Sequence, residues 1–189
     1  MKKWRFNPFT YIAGTRALLI GWAIMAVTIV IAFFSHAHFD GVMDAHYGAH
    51  ATLLATFIES LTGWICLVLP LYILGRIAST SAVRFIDIAG TLALARWPLF
   101  FAAFLGFIPV PIINPDKLSP DQLLSVLATP GFIIQALLAL VILVWYIALL
   151  YNAFAVSANL KGGKSAAAFI AGLIIAEVLS KVILMKFYN

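Results

Sequence analysis

Five long apolar stretches dominate this sequence and restrict most strongly what it can fold into. A helix that crosses a hydrocarbon core about 30 Å thick needs roughly 20 mainly apolar residues, and each stretch is long enough. Charged or turn-forming segments separate them. The stretches therefore predict an all-α fold, in which one polytopic membrane domain forms a bundle of five transmembrane helices. They cover Ala17–Phe34, Ala51–Leu74, Phe85–Ile108, Gly131–Val156 and Ser165–Met185.

The composition indicates lipid as the main partner. Of the 189 residues, 64% are hydrophobic and 10% are charged, whereas soluble domains carry about 25% charged residues. The net charge of +5 comes from Lys and Arg residues scattered between the apolar stretches, so we expect no nucleic-acid partner. Association with copies of itself or with other membrane proteins stays open. Cys66 is the only cysteine, which excludes an internal disulfide.

The basic residues predict the orientation, because short basic loops stay in the cytoplasm. The first connection has no Lys or Arg, and the third has only Lys117. We therefore expect a multi-pass protein of a bacterial inner membrane with a cytoplasmic N-terminus, although Lys181 and Lys186 near the C-terminus weakly oppose this. The basic residues of the other segments are Lys2, Lys3, Arg5, Arg16, Arg76, Arg84, Lys161 and Lys164.

Prolines interrupt the chain between the third and fourth stretches. Each proline removes a backbone donor, so Pro109, Pro111 and Pro115 exclude a continuous helix there. A short interfacial helix is predicted over Leu118–Leu127, where Ser119 precedes Pro120 in the arrangement of a cap and a first helical residue.

Three passages of the sequence resemble the Yip (Ypt/Rab-interacting protein) membrane-domain family, as a bacterial-type member. The resemblance implies a helical five-span bundle with a cytosolic N-terminus and no catalytic residues. Eukaryotic members of the family associate with Rab-type GTPases, but they carry a long hydrophilic N-terminal region that differs from the short segment here. The passages are Phe6–Phe9 with Thr15–Leu19, Ala89–Pro98, and Trp145–Ser165.

Ionisable residues inside the apolar stretches form the first candidate site. Such a residue costs about 2.5–3.5 kcal/mol at the centre of a span, so it normally faces the bundle interior. At about 1.5 Å of rise per residue, Glu59, Arg96 and Glu177 are predicted to lie at nearly one depth. We expect an intramembrane polar cluster that acts either as a substrate or proton site or as a clasp that fixes helix packing. Asp87, three residues after Arg84, is predicted to form an interfacial ion pair.

The second candidate site lies in the first connection, which contains all four histidines of the chain. Imidazole and carboxylate groups are ligands of divalent transition metals such as zinc. His46 and His50 would share a face if their segment were helical. We therefore hypothesise a zinc-type site formed by His46 and His50 with His36, His38 or Asp44. The alternative is a polar interfacial loop.

Two functions follow from these features. The first is a non-enzymatic scaffold, or a membrane-organisation or trafficking-type factor, as the resemblance implies. The second is a transporter or channel-like protein for a cation, with a divalent metal as one candidate. A third hypothesis, an intramembrane metalloenzyme, lacks a nucleophile and a general base, so no catalytic residue is predicted.

Overall fold

The computed structural model describes residues 7–48, 50–111 and 119–188. It confirms the all-α class, and five helical segments of the described residues, with Phe85–Phe107 taken as one, are long and apolar enough to cross a membrane. The chain is a multi-pass integral membrane protein. The helices are α1 (Gly14–Ser35), α2 (Leu53–Ala78), α3 (Phe85–Ala95), α4 (Pro98–Phe104), α5 (Pro120–Leu127), α6 (Pro130–Ser157) and α7 (Gly162–Tyr188), with 3-10 turns at Pro8–Thr10 and Leu105–Phe107.

Local sequence signals account for several helix boundaries. The hydroxyl of Thr52 accepts a hydrogen bond from the Ala55 amide at 3.1 Å and caps α2. Thr129 precedes Pro130 and caps α6 in the same way. The predicted interfacial helix is present as α5 and begins at Pro120. Leu118, where the prediction began, lies outside the described residues.

The third span, predicted over Phe85–Ile108, is confirmed over Phe85–Phe107, and a two-residue turn divides it into two helices. Helix α3 ends at Ala95, and α4 begins at Pro98 after a turn through Arg96 and Trp97. Proline has no amide hydrogen to donate, and its ring clashes with the carbonyl four residues earlier. Arg96 lies 11 residues beyond Phe85, or about 16 Å along the span, so the break falls near the middle of the membrane.

Helix α3 lies at the centre of the bundle and packs against α1, α2 and α6. Glycines allow its backbone to approach α1 closely. A Cβ atom on Gly90 would lie 2.2 Å from the carbonyl oxygen of Gly14, and one on Gly21 would lie 2.5 Å from the backbone of Ala93. Small residues at such positions let helices associate in lipid, where no hydrophobic effect drives their packing.

We expect Gly90→Ala to destabilise the protein by about 2 kcal/mol, because the added methyl group must displace backbone and not a flexible side chain. The matched control is Gly163→Ala in α7, where a Cβ meets nothing within 4 Å. Alanine is also the better helix former, so that variant should be neutral or slightly more stable. Thermal melting of the purified proteins in detergent measures both. Equal melting temperatures would contradict the close α1–α3 contact.

A short β-hairpin connects α1 to α2. Strand β1 (Ala37–His38) pairs antiparallel with β2 (His46–Tyr47), after His36 ends α1 in a left-handed conformation with φ of 54°. We call residues 37–47 the hairpin and the end of the bundle that carries it the hairpin end. The hairpin folds inward, because Phe39 and Val42 near its tip are each only 2% exposed. It positions the candidate site.

Candidate functional site

Glu59 in α2 is the most buried carboxylate among the described residues, with 1% of its surface exposed. Its Oε2 atom accepts a hydrogen bond from the Phe39 amide at 3.0 Å. Its Oε1 atom shares a hydrogen bond with Nδ1 of His38 at 2.7 Å and accepts a second one from the hydroxyl of Tyr188. Glu59 therefore joins the hairpin to α2 and to the end of α7.

Helix α7 binds the tip of the hairpin from the other side. The carboxylate of Glu177 accepts a hydrogen bond from the Met43 amide at 2.8 Å, and the hydroxyl of Ser180 accepts one from the Val42 amide at 3.2 Å. Lys181 forms an ion pair with Asp44 on the same turn of the hairpin. Non-helical backbone is tolerated inside a membrane protein only where its polar groups find partners. The side chains of α7 supply those partners.

Arg96, at the break in the third span, is 5% exposed and has few partners. Its Nη1 atom donates to the hydroxyl of Tyr146 at 3.5 Å, and its Nη2 atom donates to the carbonyl oxygen of Ser60 at 3.4 Å. Both distances are long for hydrogen bonds. Within the described ranges, Nε has no hydrogen-bond partner and no carboxylate lies at ion-pairing distance from the guanidinium.

The structure thus brings Glu59, Arg96 and Glu177 around the tip of the hairpin without pairing their charges. A Cβ on Gly41 would lie 2.6 Å from Oε1 of Glu177. A Cβ on Gly63 would lie 3.3 Å from Nη1 of Arg96 and 3.6 Å from the carbonyl oxygen of Gly41. The hairpin backbone therefore approaches both the acid of α7 and the arginine. A functional role for the cluster stays a prediction.

The four histidines form two separate pairs. The rings of His38 and His46 stack with their centroids 4.8 Å apart, and those of His36 and His50 meet edge to face at 5.4 Å. His46 lies in strand β2 and not in a helix, so the condition for sharing a helical face with His50 is not met. Its Nδ1 atom lies 3.3 Å from Oδ1 of Asp40.

The described residues contain no group of three or more His, Cys, Asp or Glu side chains placed to hold one metal ion. Asp44, the carboxylate proposed from the sequence, is bound to Lys181. A zinc site usually needs three or four protein ligands that converge on one point. Zinc binding stays a prediction, and it requires the histidine pairs to rearrange.

The Asp40–His46 pair at the hairpin end carries opposite pKa shifts. Contact with the His46 imidazole, 3.3 Å away, holds the pKa of the Asp40 carboxyl below its ordinary value. The same contact with Asp40 and its negative charge raise the pKa of His46, although partial burial opposes the shift. The histidine contribution to stability is complete below about pH 6.5 and is lost as the pH rises through the raised pKa. The aspartate contribution is complete above about pH 4 and is lost on acidification.

We expect Asp40→Asn to destabilise the protein by less than ~1 kcal/mol near pH 5.5, because both side chains are partly exposed to solvent. The loss should shrink toward zero by about pH 8.5, where neutral His46 no longer pairs with the wild-type carboxylate. Asp44→Asn is the matched control, since its lysine partner keeps its charge over this range. Melting curves at both pH values test this, and a pH-independent cost of Asp40→Asn would contradict the pairing.

We expect Glu59→Ala to cost about 2–3 kcal/mol, because it leaves the Phe39 amide, His38 and Tyr188 without their common acceptor. Asp44→Ala breaks a more exposed ion pair and should cost less than ~1 kcal/mol. Denaturation of both variants in the same detergent gives the comparison. A similar cost for the two would count against a buried role for Glu59.

Other contacts of the site were not predicted from the sequence, although a signal for some of them is present. Ser180 and Lys181 follow Glu177 at the i+3 and i+4 spacing, and Tyr188 lies 11 residues after it. These spacings place all four on one face of a helix. Lys181 therefore belongs to this polar face and forms an ion pair with Asp44.

The interfacial ion pair predicted between Arg84 and Asp87 is confirmed. The guanidinium donates from Nε to Oδ2 at 2.7 Å and from Nη2 to Oδ1 at 3.0 Å. This bidentate geometry is the one that guanidinium and carboxylate groups favour. The pair lies at the start of α3, away from the hairpin, and plays no part in the candidate site.

No protein-family model, curated protein or solved structure matches this chain. Membership of the Yip family therefore stays a prediction, and the function is argued from the geometry of the site alone.

Proposed function

We propose that the protein is a membrane transporter of protons, the cation-transport alternative with the proton as the cation. The observation that carries the proposal is the Glu59–His38 pair, in which a buried carboxylate and an imidazole share one hydrogen bond of 2.7 Å. A proton in such a bond can reside on either partner. Ionisable residues inside membrane bundles commonly mark ion paths and proton relays.

A chain of titratable groups leads from this pair to the hairpin end. The ring of His38 stacks on that of His46, and half of the His46 side chain is exposed. Histidine is the side chain that exchanges protons most readily near neutral pH. In this proposal a proton from solution binds His46 beside Asp40 and then passes to His38 and Glu59. Stacked rings share no hydrogen bond, and Nε2 of His38 has no hydrogen-bond partner in the described part of the chain, so the transfer between the two histidines requires a water molecule or a rotation of one ring.

The turn in the third span also supports the proposal, because it is a point where the span can bend. Arg96 and Trp97 keep helical backbone angles, and i to i+3 hydrogen bonds continue through them, so the span is kinked and not unwound. Beyond Arg96, toward the end of the bundle opposite the hairpin, the core contains fully buried apolar side chains such as Leu92, Leu149 and Phe154. Release of the proton at that end requires the helices to move, and the break between α3 and α4 provides a joint for such a movement.

A scaffold or membrane-organisation role of the Yip type is the second candidate. It is favoured by the fact that Glu59 and Glu177 both accept hydrogen bonds from hairpin amides. Those contacts stabilise the fold whether or not an ion moves. Its partners would be lipid, further copies of the chain or other membrane proteins, and it involves no enzyme chemistry. The predicted orientation, with the hairpin on the non-cytoplasmic side of the membrane, applies to both candidates.

Proton flux into liposomes tests the proposal. We expect purified wild-type protein, reconstituted with a pH-sensitive dye inside, to carry protons when a potassium diffusion potential drives them inward. Glu59→Gln and His38→Gln should reduce the flux at least about tenfold, because each removes one half of the shared site. Asp44→Asn, which breaks only an ion pair at the hairpin surface, should keep it.

Variants that fail to fold are recognised by their melting curves and gel-filtration profiles. Folded wild-type protein that carries no protons above the level of empty liposomes would overturn the transport proposal and favour the scaffold. Flux that survives in folded Glu59→Gln would also overturn it.

A further inference from the structure

Arg96 has an incomplete set of partners for a buried cation. A guanidinium presents five N–H donors, and here the protein offers two long hydrogen bonds and none to Nε in the described part of the chain. A buried charge without a counter-charge is costly. Glu59 and Glu177 accept hydrogen bonds from the hairpin, and neither lies at ion-pairing distance from Arg96.

A small cavity adjoins this guanidinium. It has a volume of about 10 Å³, which is room for about one water molecule. Its walls include Ser60, Phe39 and Leu99, with residues of α1 on the remaining side. None of the described residues that line it is acidic. Apolar walls strengthen the attraction between Arg96 and any negative charge placed there, because they lower the local dielectric constant.

We propose that Arg96 and this cavity bind one small monovalent anion, of the class of chloride or fluoride, near the middle of the membrane. Such an ion pairs directly with the guanidinium, which no described carboxylate does, and it accepts hydrogen bonds from the open donors. The site lies at the turn between α3 and α4.

The cavity volume sets the specificity. Fluoride is close to water in size and fits, and chloride requires the walls to move slightly. Iodide and polyatomic anions such as gluconate or sulfate require larger movements. Phosphate groups, and the carboxylate groups of organic substrates, are excluded because they too are larger than the cavity. The anion site does not rest on the proposed proton transport, since neither His38 nor Glu59 lines the cavity.

Thermal melting of the full-length protein in detergent tests the proposal. The protein is purified in sodium gluconate and titrated with sodium fluoride, chloride, bromide or iodide at constant ionic strength. We expect a saturable rise in Tm of about 3 °C at a tenfold excess over Kd for fluoride or chloride, and a smaller rise or none for iodide. Arg96→Gln should lose the response, and Arg96→Lys should retain only part of it.

Arg84→Gln is the matched control, because it also removes one arginine, but an exposed one bound to Asp87. It should keep the wild-type response. Line broadening of the chloride-35 NMR signal by wild-type protein, reversed by fluoride, gives a second readout that needs no variant. Folded Glu59→Gln should lose proton flux and keep the anion response, so failures of the two proposals are distinguishable.

Two results would overturn the anion site. One is a wild-type melting temperature that does not change with any halide, which would mean that water fills the cavity. The other is a rise that never saturates and is equal for all anions and for Arg96→Gln, which would indicate a general salt effect.

Discussion

The structure depends on hydrogen-bond acceptors for backbone amides that lie inside the bundle but outside any helix. The hairpin brings the amides of Phe39, Val42 and Met43 among the transmembrane helices, where an unpaired amide costs several kcal/mol. Glu59 and Glu177 accept two of these hydrogen bonds. Because the two acids lie on different helices, the hairpin also fixes α2 relative to α7. Burying the two carboxylates would cost free energy if they had no partners, but here their hydrogen bonds hold the hairpin and the helices together.

Arg96 takes no part in these contacts. Among the described residues no carboxylate lies at ion-pairing distance from the guanidinium, and the turn in the third span holds Arg96 beside a cavity without an acidic wall. The polar centre therefore consists of two parts with different chemistry. One is a proton-sharing pair of His38 and Glu59 that connects to the hairpin end, and the other is a cation with open donors.

The sequence allowed the spans to be predicted, since length and hydropathy are local properties that decide whether a segment crosses lipid. It also predicted the start of α5, because Ser119 and Pro120 act within one turn. The hairpin was not predicted, since its contacts join residues far apart in the chain, such as Val42 and Ser180. A pattern among neighbouring residues does not indicate a contact between residues so far apart in the chain. The interruption at Arg96 had a local signal in Pro98, but apolar residues continue on both sides and hide it.

Hydrogen–deuterium exchange at the hairpin amides tests most directly whether Glu59 and Glu177 hold the hairpin inside the bundle. The account predicts slow exchange at Phe39 and Met43 in the wild-type protein. Glu59→Ala should accelerate exchange about a hundredfold, mainly at Phe39, and Glu177→Ala should do so mainly at Met43. Rapid exchange at both amides in folded wild-type protein would contradict the account, because the hairpin would then lie in water.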